Sequence, residues 1–159
     1  MKPRIHLIAL IGLILGGVTA SAEHRVLMNK NANRLAINGY DPVAFFMEGE
    51  PVKGRPGHQA IYKGAVFRFS SASNLEAFLE EPDRYEPEFG GYCPVSLSKD
   101  MLASGDPMNF RIMQDRLYLM HDTQARKRLT NDRVSEATRR WEAKVQRHGV
   151  PYASAGITR

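Results

Sequence analysis

The sequence predicts an α+β fold: a small antiparallel sheet of short strands, one inner short helix, and a C-terminal helix or helix pair. Three observations carry that expectation. Gln59-Ala60-Ile61-Tyr62 and Ala65-Val66-Phe67-Arg68-Phe69 flank Lys63-Gly64, so β-branched and aromatic residues stand on both sides of a glycine turn, with Phe67 and Phe69 on one face. Ser73-Asn74-Leu75-Glu76 has the form of a capping box ahead of Ala77-Phe78-Leu79, and Leu75, Phe78 and Leu79 share one helical face. Asn131 can cap a stretch in which Val134, Ala137, Trp141 and Val145 recur at spacings of three and four.

The elements follow in order from the N-terminus. Met1-Lys2-Pro3-Arg4 is basic, Ile5 to Val18 is almost wholly apolar, and Thr19-Ala20-Ser21-Ala22 is a small-residue site, the three regions of a secretory signal peptide over residues 1–22. Its apolar run of 14 residues, Ile5 to Val18, falls short of the roughly 20 that span a bilayer. The expectation is export to the periplasm or the exterior, with no membrane span after signal cleavage. Loss of Lys2 and Arg4 takes 22 basic residues to 20 against 17 acidic, a net charge of +3. That small excess, and export itself, argue against nucleic acid as a partner. The length fits one domain with a core of its own.

Residues 23–34 read as a polar lead and 35–148 as the domain, without internal repeats. Asn38-Gly39 signals a tight turn, Val43-Ala44-Phe45-Phe46 a short buried segment, and Lys53-Gly54-Arg55-Pro56-Gly57 an exposed loop. Pro82 stops the inner helix. Residues 83–109 read as irregular. Phe110-Arg111-Ile112 and Leu117-Tyr118-Leu119 read as two further strands across Gln114-Asp115-Arg116, and Gln124 to Leu129 as a short helical piece. The long helix carries Arg133, Arg139, Arg140, Lys144 and Arg147 on its other side, which reads as a solvated face. Gly149 and Pro151 end it, ahead of a disordered tail over 149–159.

Cys93 is the only cysteine, in Gly90-Gly91-Tyr92-Cys93-Pro94. Thiols of exported proteins are usually paired, so three readings stand: a buried inert thiol, an intermolecular disulfide, or a metal ligand or reactive group. A structural zinc site needs four N or S ligands. With one cysteine and His24, His58, His121 and His148 after cleavage, zinc is disfavoured. Copper(I) accepts thiolate and thioether ligands, and Cys93, Met101, Met108 and His121 make a chemically sensible set. Catalysis by Cys93 would need a base, for which His121 beside Asp122, and then His58, are the candidates.

Gly39-Tyr40-Asp41-Pro42-Val43-Ala44-Phe45-Phe46, the run Phe67 to Phe78, Glu81-Pro82-Asp83-Arg84-Tyr85 and Gly90-Gly91-Tyr92-Cys93 come in that order. Together they resemble the exported branch of the YHS-domain family, related to small TRASH/YHS metal-binding modules, over about residues 36 to 120. The resemblance implies a small metal-binding fold, with cysteines where this chain has Ala44, Ser70 and Asn74. It also implies that Tyr40, Asp41 and Tyr92 share a ligand pocket with Cys93. The expectation is a non-enzymatic binding protein taking a soft metal such as copper(I) or a small ligand near Cys93. The alternatives are a cell-envelope protein-interaction module with a structural cysteine, and a Cys-dependent enzyme.

Overall fold

A computed structural model describes residues 25–151, and both the expected signal peptide and the chain beyond Pro151 lie outside the described residues. The fold is α+β. Among the described residues the strands form three separate two-stranded antiparallel ladders rather than one sheet, with isolated bridges outside them.

The first is the predicted hairpin, β2 (Arg55–Tyr62) and β3 (Ala65–Phe69), in register at Ala60–Phe67 and Tyr62–Ala65. Its turn residues Lys63 and Gly64 have φ of 47° and 72°, the left-handed pair of a type I′ turn whose twist matches the strands. β2 starts at Arg55, inside the expected loop, because an irregularity between Arg55 and Gln59 lets the strand pair across it. Phe67 and Phe69 are fully buried and meet Phe78 of α2 (Ala72–Glu80) at ring separations of 5.0 and 5.1 Å. The cap of α2 is Ser71, whose Oγ accepts the Asn74 N–H at 3.1 Å. Ser73, the expected cap, lies two residues inside, with its hydroxyl on Ser71 Oγ. Pro82 closes α2 by opening the next short helix, α3 (Pro82–Tyr85), since proline fits a first helical position and no interior one.

The second ladder pairs β4 (Phe110–Met113) with β5 (Arg116–Leu119) across Gln114 and Asp115, both left-handed at φ 52° and 56°. The third joins the ends of the described chain: β1 (Arg25–Val26) pairs with β6 (Val150–Pro151). The described structure therefore includes ten residues ahead of Leu35 and reaches past Gly149 to Pro151. Between these ladders lie α1 (Ala44–Met47), α4 (Pro94–Leu97), α5 (Thr123–Arg128) and the long α6 (Asn131–His148), capped by Thr130 rather than Asn131.

An internal repeat emerges that the sequence reading missed. Ile37-Asn38-Gly39-Tyr40-Asp41-Pro42-Val43 and Phe89-Gly90-Gly91-Tyr92-Cys93-Pro94-Val95 adopt the same backbone. Each begins with three left-handed residues, φ 51°, 52° and 77° in the first and 54°, 58° and 84° in the second. A tyrosine with φ/ψ of −78°/151° or −83°/151° follows, then a proline and a short helix. Asp41 N–H bonds Val52 O at 2.8 Å and Cys93 N–H bonds Ala103 O at 2.8 Å; Gly54 N–H bonds Gly39 O and Gly105 N–H bonds Gly91 O, both at 3.0 Å. Parallel bridges Leu35–Val66 and Pro87–Leu117 match as well. The hairpins and the helices α2 and α5 then follow in the same order, capped by Ser71 and Asp122. The offset is 52 positions from Gly39 to Gly91 and 51 from Gly54 to Gly105, one residue being lost between them. Few side chains match because each half fills its core differently: Phe67, Phe69 and Phe78 stand opposite Tyr118, Met120 and Leu129, all buried. One apolar cluster centres on the first half, and a second gathers Phe89, Cys93, Val95, Leu97, Tyr118, Met120, Leu129 and Ala137.

The expected solvated face of α6 has an exception. Lys144 is buried, and its Nζ lies 2.8 Å from the Asp100 carboxylate, tying α6 to the chain after α4. The Lys144 hydrogen bond, and then its charge, hold the Asp100 carboxyl below its ordinary range. A depressed folded value adds stability above the unfolded carboxyl range near pH 4 and loses it as pH falls through the folded value. Asp100→Asn is therefore expected to flatten the acid limb of stability. Urea midpoints at pH 7 and pH 3 measure this, and an unchanged difference between them refutes it.

Candidate functional site

Asp41 is the polar centre of the first half. Its side chain is fully buried. Oδ1 accepts the N–H groups of Val43 at 2.9 Å and Ala44 at 3.3 Å, where Pro42 turns the chain into α1. Oδ2 accepts the Ser70 N–H, the Ser70 hydroxyl and Asn74 Nδ2, each at 2.7 Å. One carboxylate thus joins α1, the end of β3 and the start of α2. The positions at which the resembled family carries cysteines, Ala44, Ser70 and Asn74, are the ones that surround it. They offer no thiolate here, and the two oxygens already meet five donors, so this centre fits neither zinc nor an added ligand.

Cys93 occupies the matching point of the second half and is a core residue, with no exposed surface. Its backbone N–H is held by Ala103 O, and Pro94 starts α4 directly after it. Tyr40 packs on the first cluster with Lys53 Nζ 3.8 Å over its ring, whereas the Tyr92 ring lies 6.1 Å from Trp141, and burial raises the Tyr92 phenol. Tyr40 and Asp41 therefore belong to one centre, Tyr92 and Cys93 to its twin. The proposed soft ligands are divided too. Met101 and His121 line one cleft, Met108 lies outside it and is 60% exposed, and Cys93 is enclosed. Among the described residues no group of three or more His, Cys, Asp and Glu side chains is placed to hold a metal ion. His121 Nδ1 lies 3.4 Å from Ser104 O, and His58 lies on β2 in the other half.

A larger cavity of about 260 Å³ opens beside the Cys93 cluster. Phe89 and Trp141 form a wall with ring centroids 6.0 Å apart, and Leu27, Met28 and Val145 add apolar surface. Two ion pairs edge it: Lys63–Glu86 at 2.5 Å and Arg116–Glu88 at 2.6 Å. Burial opposes the Lys63 ammonium, but Glu86 and then Tyr62 together outweigh it and raise Lys63; burial also raises Glu86, against the pull of Lys63. The Asp83 carboxylate, 3.3 Å from Lys63, favours the Lys63 ammonium and adds to the upward push on Glu86. The walls are pinned. Gly90 O accepts the Asn29 N–H at 2.9 Å, and Phe89 sits at φ 54°, a strained setting for an aromatic residue.

The chain matches no protein-family model, no curated protein and no solved structure. No helix among the described residues is long and apolar enough to cross a membrane.

Sequence reasoning missed Glu86, Glu88, Arg116 and Trp141 as cavity residues. Their signal was faint: Trp141 fits an apolar helical stripe, and the three charged residues come from segments joined only by the fold.

Proposed function

We propose that this is an exported, non-catalytic binding protein of the YHS-like kind that takes a small amphipathic molecule in the cavity at Phe89 and Trp141. The observation that carries the proposal is the pairing of an aromatic wall with two ion pairs around a concave space. A concave space with an aromatic wall, convergent polar groups and shifted titrating residues is a recurring form of small-ligand site. The convergence of Ala44, Ser70 and Asn74 on one point supports the family reading independently. Trp141 is the only tryptophan of the chain, so its fluorescence reports on the cavity. A screen of small zwitterions and aromatic acids is expected to yield a saturable change that Val145→Phe, which fills the space from α6, removes. Saturable binding that Val145→Phe leaves intact places the ligand elsewhere and defeats the proposal.

The soft-metal reading keeps one specific support, the sharing of a single cleft by Met101 and His121. Its test is the copper content of protein purified without chelators. Near-stoichiometric copper that His121→Ala and Met101→Leu both abolish supports it, and copper retained by both variants rules it out.

A further inference from the structure

The charged groups of the Phe89–Trp141 cavity are unequal in what they leave open. Its lining holds two carboxylates, Glu86 and Glu88, and two cations, Lys63 and Arg116. The Lys63 ammonium is spent: it meets Glu86 Oε1 at 2.5 Å and Asp83 Oδ1 at 3.3 Å, and lies 4.9 Å from the centre of the Tyr62 ring. Arg116 stands at the rim, its side chain 49% exposed against 19% for its partner Glu88. Each carboxylate gives only Oε1 to its ion pair. Among the described residues Oε2 of Glu86 and Oε2 of Glu88 have no hydrogen-bond partner, and neither is sealed from solvent. Burial, and then the charges of Asp83 and Glu88, raise the Glu86 carboxyl against the pull of Lys63. A further positive charge beside it relieves that crowding of carboxylates.

We propose that the cavity takes a small alkylated ammonium ion, its head over the ring faces of Trp141 and Phe89 and beside the open oxygens of Glu86 and Glu88. This inference rests on the cavity being the binding site and adds the charge of its ligand. The face of an aromatic ring attracts a cation within about 6 Å of its centre, tryptophan most strongly. Alkyl groups on the nitrogen weaken its hold on water and pack against Leu27, Met28 and Val145. A metal ion is a poor fit, since calcium takes about six to eight oxygen ligands. Two carboxylates fall short of that, and no third acidic, cysteine or histidine side chain among the described residues joins them. An anion has to displace a carboxylate from Lys63 or settle for the solvent-exposed Arg116.

The test follows Trp141 emission as choline, tetramethylammonium or benzyltrimethylammonium chloride is added at constant ionic strength. A saturable change is expected. It should be about tenfold weaker or more for the neutral analogue of choline that carries tert-butyl in place of trimethylammonium. That comparison uses the wild-type chain and depends on no variant folding. Glu88→Gln should weaken choline binding by about tenfold, and Arg116→Gln, which frees Glu88 from its pair, should tighten it. Val145→Phe should abolish it. Equal binding of choline and its neutral analogue, lost in Val145→Phe, overturns the cation assignment and leaves the cavity reading standing. Weakening by Arg116→Gln without weakening by Glu88→Gln overturns it in favour of an anion. A silent response to all three cations overturns it too, while the wider ligand screen still decides the cavity. Choline binding that Val145→Phe leaves intact overturns both.

Discussion

Asp41→Ala is expected to destabilise the protein by about 4 kcal/mol, as much as truncating one of the fully buried core phenylalanines. The carboxylate meets five donors, three of them backbone N–H groups that cannot turn away. Each buried donor left without a partner costs about 1 to 3 kcal/mol, and water entering the space recovers part of the total. The melting temperature should fall by about 15 °C, given a few degrees per kcal/mol for a domain of this size. Asp41→Asn keeps the shape but turns an NH₂ group toward donors, so it should cost almost as much. The twin position gives the contrast. Cys93→Ala removes one buried sulfur and no hydrogen-bond acceptor, for about 1 to 2 kcal/mol. Urea unfolding of the three variants measures the comparison, and a cost below 1 kcal/mol for Asp41→Ala removes the carboxylate from its place as the organising centre.

Gly90→Ala is expected to cost about 3 kcal/mol. A Cβ there would lie 2.1 Å from Leu27 O, a backbone atom, with the residue at φ 58°. Left-handed backbone costs a non-glycine residue roughly 1 to 2 kcal/mol, and overpacking against fixed backbone adds about as much or more. The cheapest relief is to push the N-terminal arm away, breaking the Asn29 N–H bond to Gly90 O and the pairing of Arg25–Val26 with Val150–Pro151. Amide exchange at Asn29 should therefore accelerate more than exchange at Phe67 in the core. The cavity loses its Leu27 and Met28 wall in the same step, so ligand-induced Trp141 fluorescence should weaken too. Equal acceleration at both amides indicates global destabilisation without release of the arm.

Local chemistry decided most of the elements. Lys63-Gly64 between β-rich runs sufficed for the first hairpin, and the 3.6-residue recurrence of Val134, Ala137 and Trp141 for the long helix, because turns and amphipathic faces are written in adjacent residues. The capping residues were misplaced by one or two positions, since Ser71 competes with Ser73 and Thr130 with Asn131, and only the path of the preceding chain selects between them. Gly90-Gly91 was legible as a place of unusual backbone, and Cys93 as either core or site.

What the sequence could not decide is which distant segments meet. Asp41, Ser70 and Asn74 share a hydrogen-bonded centre across separations of 29 and 33 residues. The cavity joins Lys63, Glu88 and Trp141 from three elements. The repeat was hidden for a related reason. Its two copies conserve backbone path, carried by a few glycines, a tyrosine and a proline, while their cores reach the same packing with different side chains. Close packing constrains summed volume and shape more than residue identity, so a duplicated backbone can persist after most of its sequence signal is gone.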